Sequence, residues 1–251
     1  MADRWPDGRA ALSPSIWIGY DAREAEAFSV ARASVRERLS APIPIMGLVL
    51  RSLRNRGLYY RPTELRPSAA DKPVLWDVIS DAPMATEFAI SRFLVPTLAQ
   101  RGWALFMDCD MMMLTNVARL FDGLDRSKAV YCVKHKHAKG KSTKMDGQLQ
   151  TFYVRKNWSS FMILNCDHPS NKALTVEAVN TLPGRDLHRF CWLKDEEIGE
   201  LDPAWNFLVG HSDPSIQPKN IHWTNGGPWF REYEDVPYAE AWRDARDKAV
   251  A

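Results

Sequence analysis

The chain has 251 residues, 45% of them apolar and 25% charged, enough to bury one full core and within the range of a single large α/β domain over 1–251. Acids and bases nearly cancel to a formal charge of +2, which excludes a whole-molecule field that would draw the chain onto nucleic acid or anionic lipid. The longest apolar runs, such as 43–50 with Pro44 inside it, are too short to cross a bilayer, and the start Met-Ala-Asp-Arg-Trp-Pro has no apolar stretch after its charges. A cytoplasmic protein with no transmembrane segment is therefore expected. Cys109, Cys132, Cys166 and Cys191 are widely spaced with no Cys-x-x-Cys pair, which argues against a zinc site or a disulfide framework and for reduced, mostly buried thiols.

In chain order, 15–20 alternates β-branched and aromatic residues and reads as a first strand that delivers Asp21 at its C-terminal end. From 23 to 39, Ala27, Val30, Ala31, Ser34, Val35 and Leu39 fall on one face of an amphipathic helix. A second strand is expected at 43–50, followed by an irregular stretch at 59–73 with prolines at 62, 67 and 73. Thr86 is placed to cap a helix through Phe88, Arg92 and Phe93, which Pro96 ends or kinks. The continuous apolar run 103–107 reads as a strand covered on both faces. Strands at 129–133 and 159–165, a helix at 172–180 and a closing helix at 238–249 complete the pattern, and no internal repeat is visible.

The buried strand at 103–107 ends in Asp108-Cys109-Asp110, and extended backbone sends both carboxylates to one side and Cys109 to the other. Two hard oxygen ligands suit Mg²⁺ or Mn²⁺, ions that bind diphosphate oxygens and neutralise charge on a departing nucleotide. Acidic pairs at strand ends are usually solvated, but this one is followed by Met111-Met112-Met113-Leu114, and two free carboxylates in apolar sequence would be costly. A second constellation is Ile221-His222-Trp223-Thr224-Asn225-Gly226-Gly227-Pro228-Trp229, whose glycines let backbone amides approach phosphate oxygens. As a lone histidine, His222 would read as a buried structural group; with the Asp-x-Asp, a metal ligand is the better reading.

With these two segments together, the chain over roughly 15–230 resembles the GT-A glycosyltransferases, in particular the family-eight retaining enzymes related to glycogenin and bacterial galactosyltransferases. The resemblance implies a Rossmann-like GT-A fold with a mixed central sheet flanked by helices, and Mn²⁺ (or Mg²⁺) held by Asp108, Asp110 and His222. It further implies donor contacts from Tyr20 and Asp21 in the first loop, Arg92 on its helix, Asp108, Ser159, Asn206, Gly226 and Gly227. The segment 192–198 is similar to the family's Asp-Gln stretch, which makes Asp195 and Glu196 the candidate catalytic pair, with a carboxylate where glutamine is usual. The equal alternative is that Asp195, Glu196 and Glu197 form the exposed, dipole-favoured first turn of a helix. The sequence departs from the family at Trp158-Ser159-Ser160, where an Asn-small-Gly triplet is usual, and at Gly227, where a diphosphate-binding lysine is usual.

The run 134–144 holds five lysines, a loop that can attract an anion or cover donor phosphates but that as a class is usually solvated; His135 and His137 within it read as non-ligating. The functional expectation is a metal-dependent transfer of a sugar, with retention, from a nucleoside diphosphate sugar, a uridine diphosphate by resemblance, to a glycan, lipid-linked or protein acceptor. The alternatives are a metal-dependent nucleotidyltransferase or phosphohydrolase using the same carboxylates, or a catalytically degenerate module that binds nucleotide sugar without turnover.

Overall fold

The computed structural model describes residues 14–67, 73–135, 155 and 157–250. The chain begins with β1 (Ser15–Tyr20), a single 3-10 turn and α1 (Ala25–Glu37), which buries Ala27, Val30, Ala31, Ser34 and Val35. That is the face the apolar spacing predicts. Strand β2 (Ile45–Val49) runs directly into α2 (Leu50–Asn55), so Leu50 starts a helix instead of ending a strand.

The stretch expected to be irregular contains β3 (Thr63–Arg66), which forms an antiparallel sheet with β4 (Val74–Asp77) and the two-residue β5 (Ala82–Pro83). The prolines at 62 and 67 bracket β3 and leave its interior free to pair.

The predicted Thr86-capped helix is also corrected. Residues 86–90 are turns, 91–94 form a 3-10 turn, and Pro96 lies in the first turn of α3 (Val95–Ala99). Proline fits there because its missing N–H would have had no partner at a helix start.

Strand β6 (Trp103–Met107) is followed after three residues by β7 (Met111–Met113). Beyond them lie β8 (Val130–Cys132) and β9 (Phe161–Asn165), the latter entered through a 3-10 turn at 158–160 where the sequence suggested strand. The helix expected at 172–180 is a 3-10 turn at 169–173 and then α4 (Val176–Thr181), whose first turn is capped by the Thr175 hydroxyl. Next come α5 (Gly184–His188), β10 (Ile198–Glu200), β11 (Phe207–Leu208), β12 (Asn220–His222) and α6 (Ala239–Val250).

The main sheet has the order β10-β8-β9-β6-β1-β2. Strand β1 pairs parallel with β2 and β6, and β9 runs antiparallel to both β6 and β8, which makes the sheet mixed. Every residue of β9, and all of β6 after Trp103, is buried, as continuous apolar runs in a doubly covered sheet require. A second sheet of order β11-β12-β7 lies under α1. There Val30, Met112, Ile221, Trp223 and Trp242 form their own apolar cluster, so α6 closes this sheet with Trp242. The fold is thus the expected α/β arrangement, a mixed central sheet with helices against it.

The small third sheet is tied to α4 by one buried cation. The Arg61 guanidinium donates to Asp77 Oδ1 and Oδ2 (2.5 and 2.6 Å), to Ser80 Oγ (3.0 Å), and to the carbonyls of Val179 (3.1 Å) and Leu182 (2.7 Å). Asn180 Oδ1 accepts from the amides of Tyr60 and Arg61 alongside it. With the pair fully buried, Asp77→Ala leaves Arg61 charged without a counter-ion, and we expect a loss of about 3–5 kcal/mol of stability. Breaking the exposed Arg66–Glu64 pair should cost no more than about 1 kcal/mol. Denaturant unfolding of the two variants checks the contrast.

Candidate active site

The register of β7 on β12 builds the site. Antiparallel pairing sets His222 opposite Met111, and the Trp223 amide donates to the Asp110 carbonyl (3.0 Å), so the end of β12 meets the Asp108-Cys109-Asp110 turn. On the other side the Asp108 amide donates to the Ser160 carbonyl (3.0 Å), fixing the turn to the start of β9. One ligand atom each from Asp108, Asp110 and His222 therefore lies within 4.8 Å of the other two.

Hydrogen bonds decide which nitrogen His222 presents. Ser160 Oγ donates to the Asn157 carbonyl (2.7 Å) and accepts from Asn206 Nδ2 (2.9 Å), so Asn206 Oδ1 is left to accept from His222 Nδ1 (2.8 Å). With Nδ1 the donor, the Nε2 lone pair points at Asp110 Oδ2, 3.3 Å away. Two acceptors facing each other at that distance need a proton or a cation between them, and the buried Asp110 Oδ1 has no hydrogen-bond partner. Two carboxylates and an imidazole held through its other nitrogen form a donor set that fits a divalent ion.

Arg92 stands behind Asp108. Its Nη1 is 2.8 Å from Asp108 Oδ1 and donates to the Ser159 carbonyl (2.9 Å), and its guanidinium lies over the Phe88 and Phe106 rings. Arg92 is 5% exposed, so of its two readings the solvated surface charge does not apply. Ser159 Oγ in turn contacts His188 Nδ1 at 2.7 Å. Burial, and after it the charge of Arg92, pushes His188 down to about 3, so the ring is neutral near physiological pH. These groups line one cleft of about 540 Å³ that also receives Asp110, His222 and Thr224. His188 was not legible in the sequence, since it belongs to none of the segments singled out there and reaches the site only by the packing of α5.

Other expected contacts lie elsewhere. Asp21 is fully buried, and its carboxylate accepts from the Arg23 amide and guanidinium and from the Glu87 amide. Burial opposes its ionisation, but these bonds and the Arg23 charge outweigh it and hold the carboxyl below its usual range. Tyr20 packs edge-on against Phe28. Neither residue lines the cleft.

Asn206 is buried and serves His222, as described. Gly226 has φ 127°, and added Cβ atoms would meet the Tyr233 ring at 2.7 Å (Gly226) and the Trp229 ring at 2.1 Å (Gly227). Aromatic packing alone thus requires both glycines. Lys219, the lysine nearest in sequence to Gly227, pairs with Asp202 (3.0 Å).

The structure does not bring Asp195 and Glu196 to the described cleft. Both are exposed in a 3-10 turn, where Asp195 pairs with Arg155 and Glu197 accepts from the Lys194 amide (2.8 Å), an arrangement that matches the helix-start alternative. Residues 136–144 of the lysine-rich run, His137 among them, lie outside the described residues. Cys109, Cys132 and Cys166 are buried and Cys191 is exposed, all four as free thiols.

One further carboxylate was not foreseen. Glu24 Oε2 accepts from the Cys109 thiol (3.1 Å), and burial, reinforced by the nearby Asp110 charge, pushes Glu24 up to about 7 from an ordinary 4.5. The folded state then holds a proton that the unfolded chain has released between those values. Stability of the metal-free protein is therefore expected to fall as pH rises from about 4.5 to about 7. Glu24→Gln should flatten that slope, which urea titrations across the window measure directly.

No protein-family model matches the chain. Protein CDI of Arabidopsis thaliana is 44% identical over 233 residues, which cover 90% of this chain and 83% of that protein. The chain belongs to the Protein CDI family. Among solved structures, this member of the Protein CDI family is similar to the glycosyltransferase GlyE of Streptococcus pneumoniae, with a TM-score of 0.58 and 11% identity over 94% of this chain. It is similar to the bifunctional glycosyltransferase WbbM with a TM-score of 0.55 and 15% identity over 94% of the chain. The galactosyltransferase LgtC, solved with donor and acceptor sugar analogs, gives 0.51 and 14% identity over 93% of this chain and 95% of its own. The chain spans 60% of GlyE and 53% of WbbM. At these identities the likeness shows the fold, and it is the GT-A fold of family-eight enzymes that the Asp-x-Asp and His222 segments resemble.

Proposed function

We propose that the chain is a metal-dependent glycosyltransferase that moves a sugar from a nucleoside diphosphate sugar to a glycan, lipid-linked or protein acceptor. The observation that carries this reading is the triad itself: Asp108, Asp110 and the Nε2 of His222 converge on one point in a cleft large enough for a sugar nucleotide. These three residues would hold a divalent cation, Mn²⁺ or Mg²⁺, whose contribution when bound is to neutralise charge on the departing diphosphate. Asn206 and Ser160 fix the His222 tautomer, and Arg92 orients Asp108 while contributing a positive charge to the cleft. The Ser159 hydroxyl and neutral His188 are placed to read sugar hydroxyls without adding charge. Uridine diphosphate as the nucleotide, and retention at the anomeric carbon, follow the family resemblance.

A second reading, a module that binds nucleotide sugar without turnover, is favoured by two features. Gly227 stands where a diphosphate-binding lysine is usual, and Asp195 and Glu196 face solvent. Product analysis separates the readings: transfer gives a glycosylated acceptor and free nucleoside diphosphate, a binding module leaves the donor intact, and a nucleotidyltransferase or phosphohydrolase releases intact sugar 1-phosphate.

Calorimetry with uridine diphosphate should show tight binding only when Mn²⁺ is present. Asp110→Ala should abolish it without lowering the melting temperature of the metal-free protein. Asn206→Leu should weaken Mn²⁺ about 10- to 100-fold, the usual effect of removing the partner of a ligating histidine. Unchanged nucleotide affinity in Asp110→Ala would refute the proposal.

A further inference from the structure

The cleft continues past the metal-ligand triad, beyond the contacts that link Arg92, Ser159 and His188, to a wall formed by α5 and Arg189 just after it. Arg185 and Arg189, four residues apart and therefore on one side of a helical turn, both line this part. The wall is anchored at both ends. At its start the Gly184 amide donates to Ser80 Oγ (2.7 Å), and a Cβ on Gly184 would meet Ile90 at 2.5 Å. At its end the Arg189 carbonyl accepts from the Arg155 guanidinium.

Nearby acids leave these two cations largely uncompensated. Asp77 is occupied by Arg61, and Asp81 by Arg66 and the Trp76 ring nitrogen. Arg185 has only a 3.8 Å contact with its neighbour Asp186, and Arg189 has no acidic partner among the described residues. A pair of guanidinium forks on an anchored backbone in a substrate-sized cleft is suited to bidentate capture of a carboxylate or phosphate. The donor diphosphate has its place with the triad, at the other side of the Arg92–Ser159–His188 contacts.

We propose that this end of the cleft takes an acceptor saccharide bearing an anionic group, a carboxylate or a phosphate, held by Arg189 together with Arg185. The assignment of the bound saccharide as acceptor rests on the transferase reading; the anion site itself does not.

The test uses the full chain, saturated with uridine diphosphate and Mn²⁺ so that the donor position is filled. Saturation-transfer NMR then compares glucuronate and glucose 6-phosphate with glucose. The account expects at least one anionic sugar to bind about tenfold or more tightly than glucose. It expects Arg185→Ala/Arg189→Ala to erase that preference while leaving the melting temperature and its rise with uridine diphosphate and Mn²⁺ unchanged. Arg189→Lys, which keeps the charge without the fork, should lose part of the preference.

Equal binding of glucose and the anionic sugars, or a preference that survives in the double variant, would overturn the proposal. So would displacement of the anionic sugar by uridine diphosphate, which would return the arginines to the donor diphosphate. If uridine diphosphate and Mn²⁺ fail to raise the melting temperature of the unaltered protein while the arginine-dependent preference persists, the anion site stands and the transferase reading falls.

Discussion

The site depends on a three-residue antiparallel pairing. Met111–Met113 against Asn220–His222 joins parts of the chain more than a hundred residues apart, and it puts an imidazole beside two carboxylates that follow a strand buried from Ala104 onward. Burying that much acidic charge is costly unless something positive compensates it. Arg92 supplies part of this at Asp108, and the bonding of His222 Nδ1 to Asn206 leaves an Nε2 lone pair aimed at Asp110. The arrangement is self-consistent with a cation in the centre and strained electrostatically without one. Glu24, the next carboxylate in, holds its proton to about 7, chiefly because it is buried and then because of the Asp110 charge beside it.

Much of this was legible before any coordinates. The continuous run 103–107 and the Asp-x-Asp after it point to a buried strand with two carboxylates at its mouth, and the His222 segment points to an imidazole that could join them. The α1 face and the closing helix with Trp242 followed from spacing alone. What escaped had physical reasons. Strands of two or three residues, such as β7, β11 and β12, are too short to show alternation, although β7 and β12 carry the decisive register. Pro96 is expected to end or kink a helix, but a proline serves equally as a helix start, as it does here. The glycine pair looked like a phosphate loop, yet the Tyr233 and Trp229 rings that press on it explain the same residues by packing. His188 and Glu24 carry no local signal at all, because each matters only through a neighbour brought in by tertiary structure.

The cleft also divides by charge. Acids and one imidazole gather at the β6–β7 turn, a neutral pair, Ser159 and His188, follows, and two arginines on the α5 wall lie beyond. A sugar nucleotide and an anionic acceptor would meet across the neutral stretch, where hydroxyls can be read without competing charge. Of the segments that depart from the family pattern, Ser159 and Ser160 line this cleft and Gly227 does not.

The most direct test of the account is pulsed electron paramagnetic resonance of Mn²⁺ added to the purified protein, which reports nitrogen nuclei bonded to the ion. The account predicts coupling to a single imidazole nitrogen in the unaltered protein and its loss in His222→Gln. A spectrum with oxygen ligands alone, or a nitrogen coupling that survives the substitution, would contradict it.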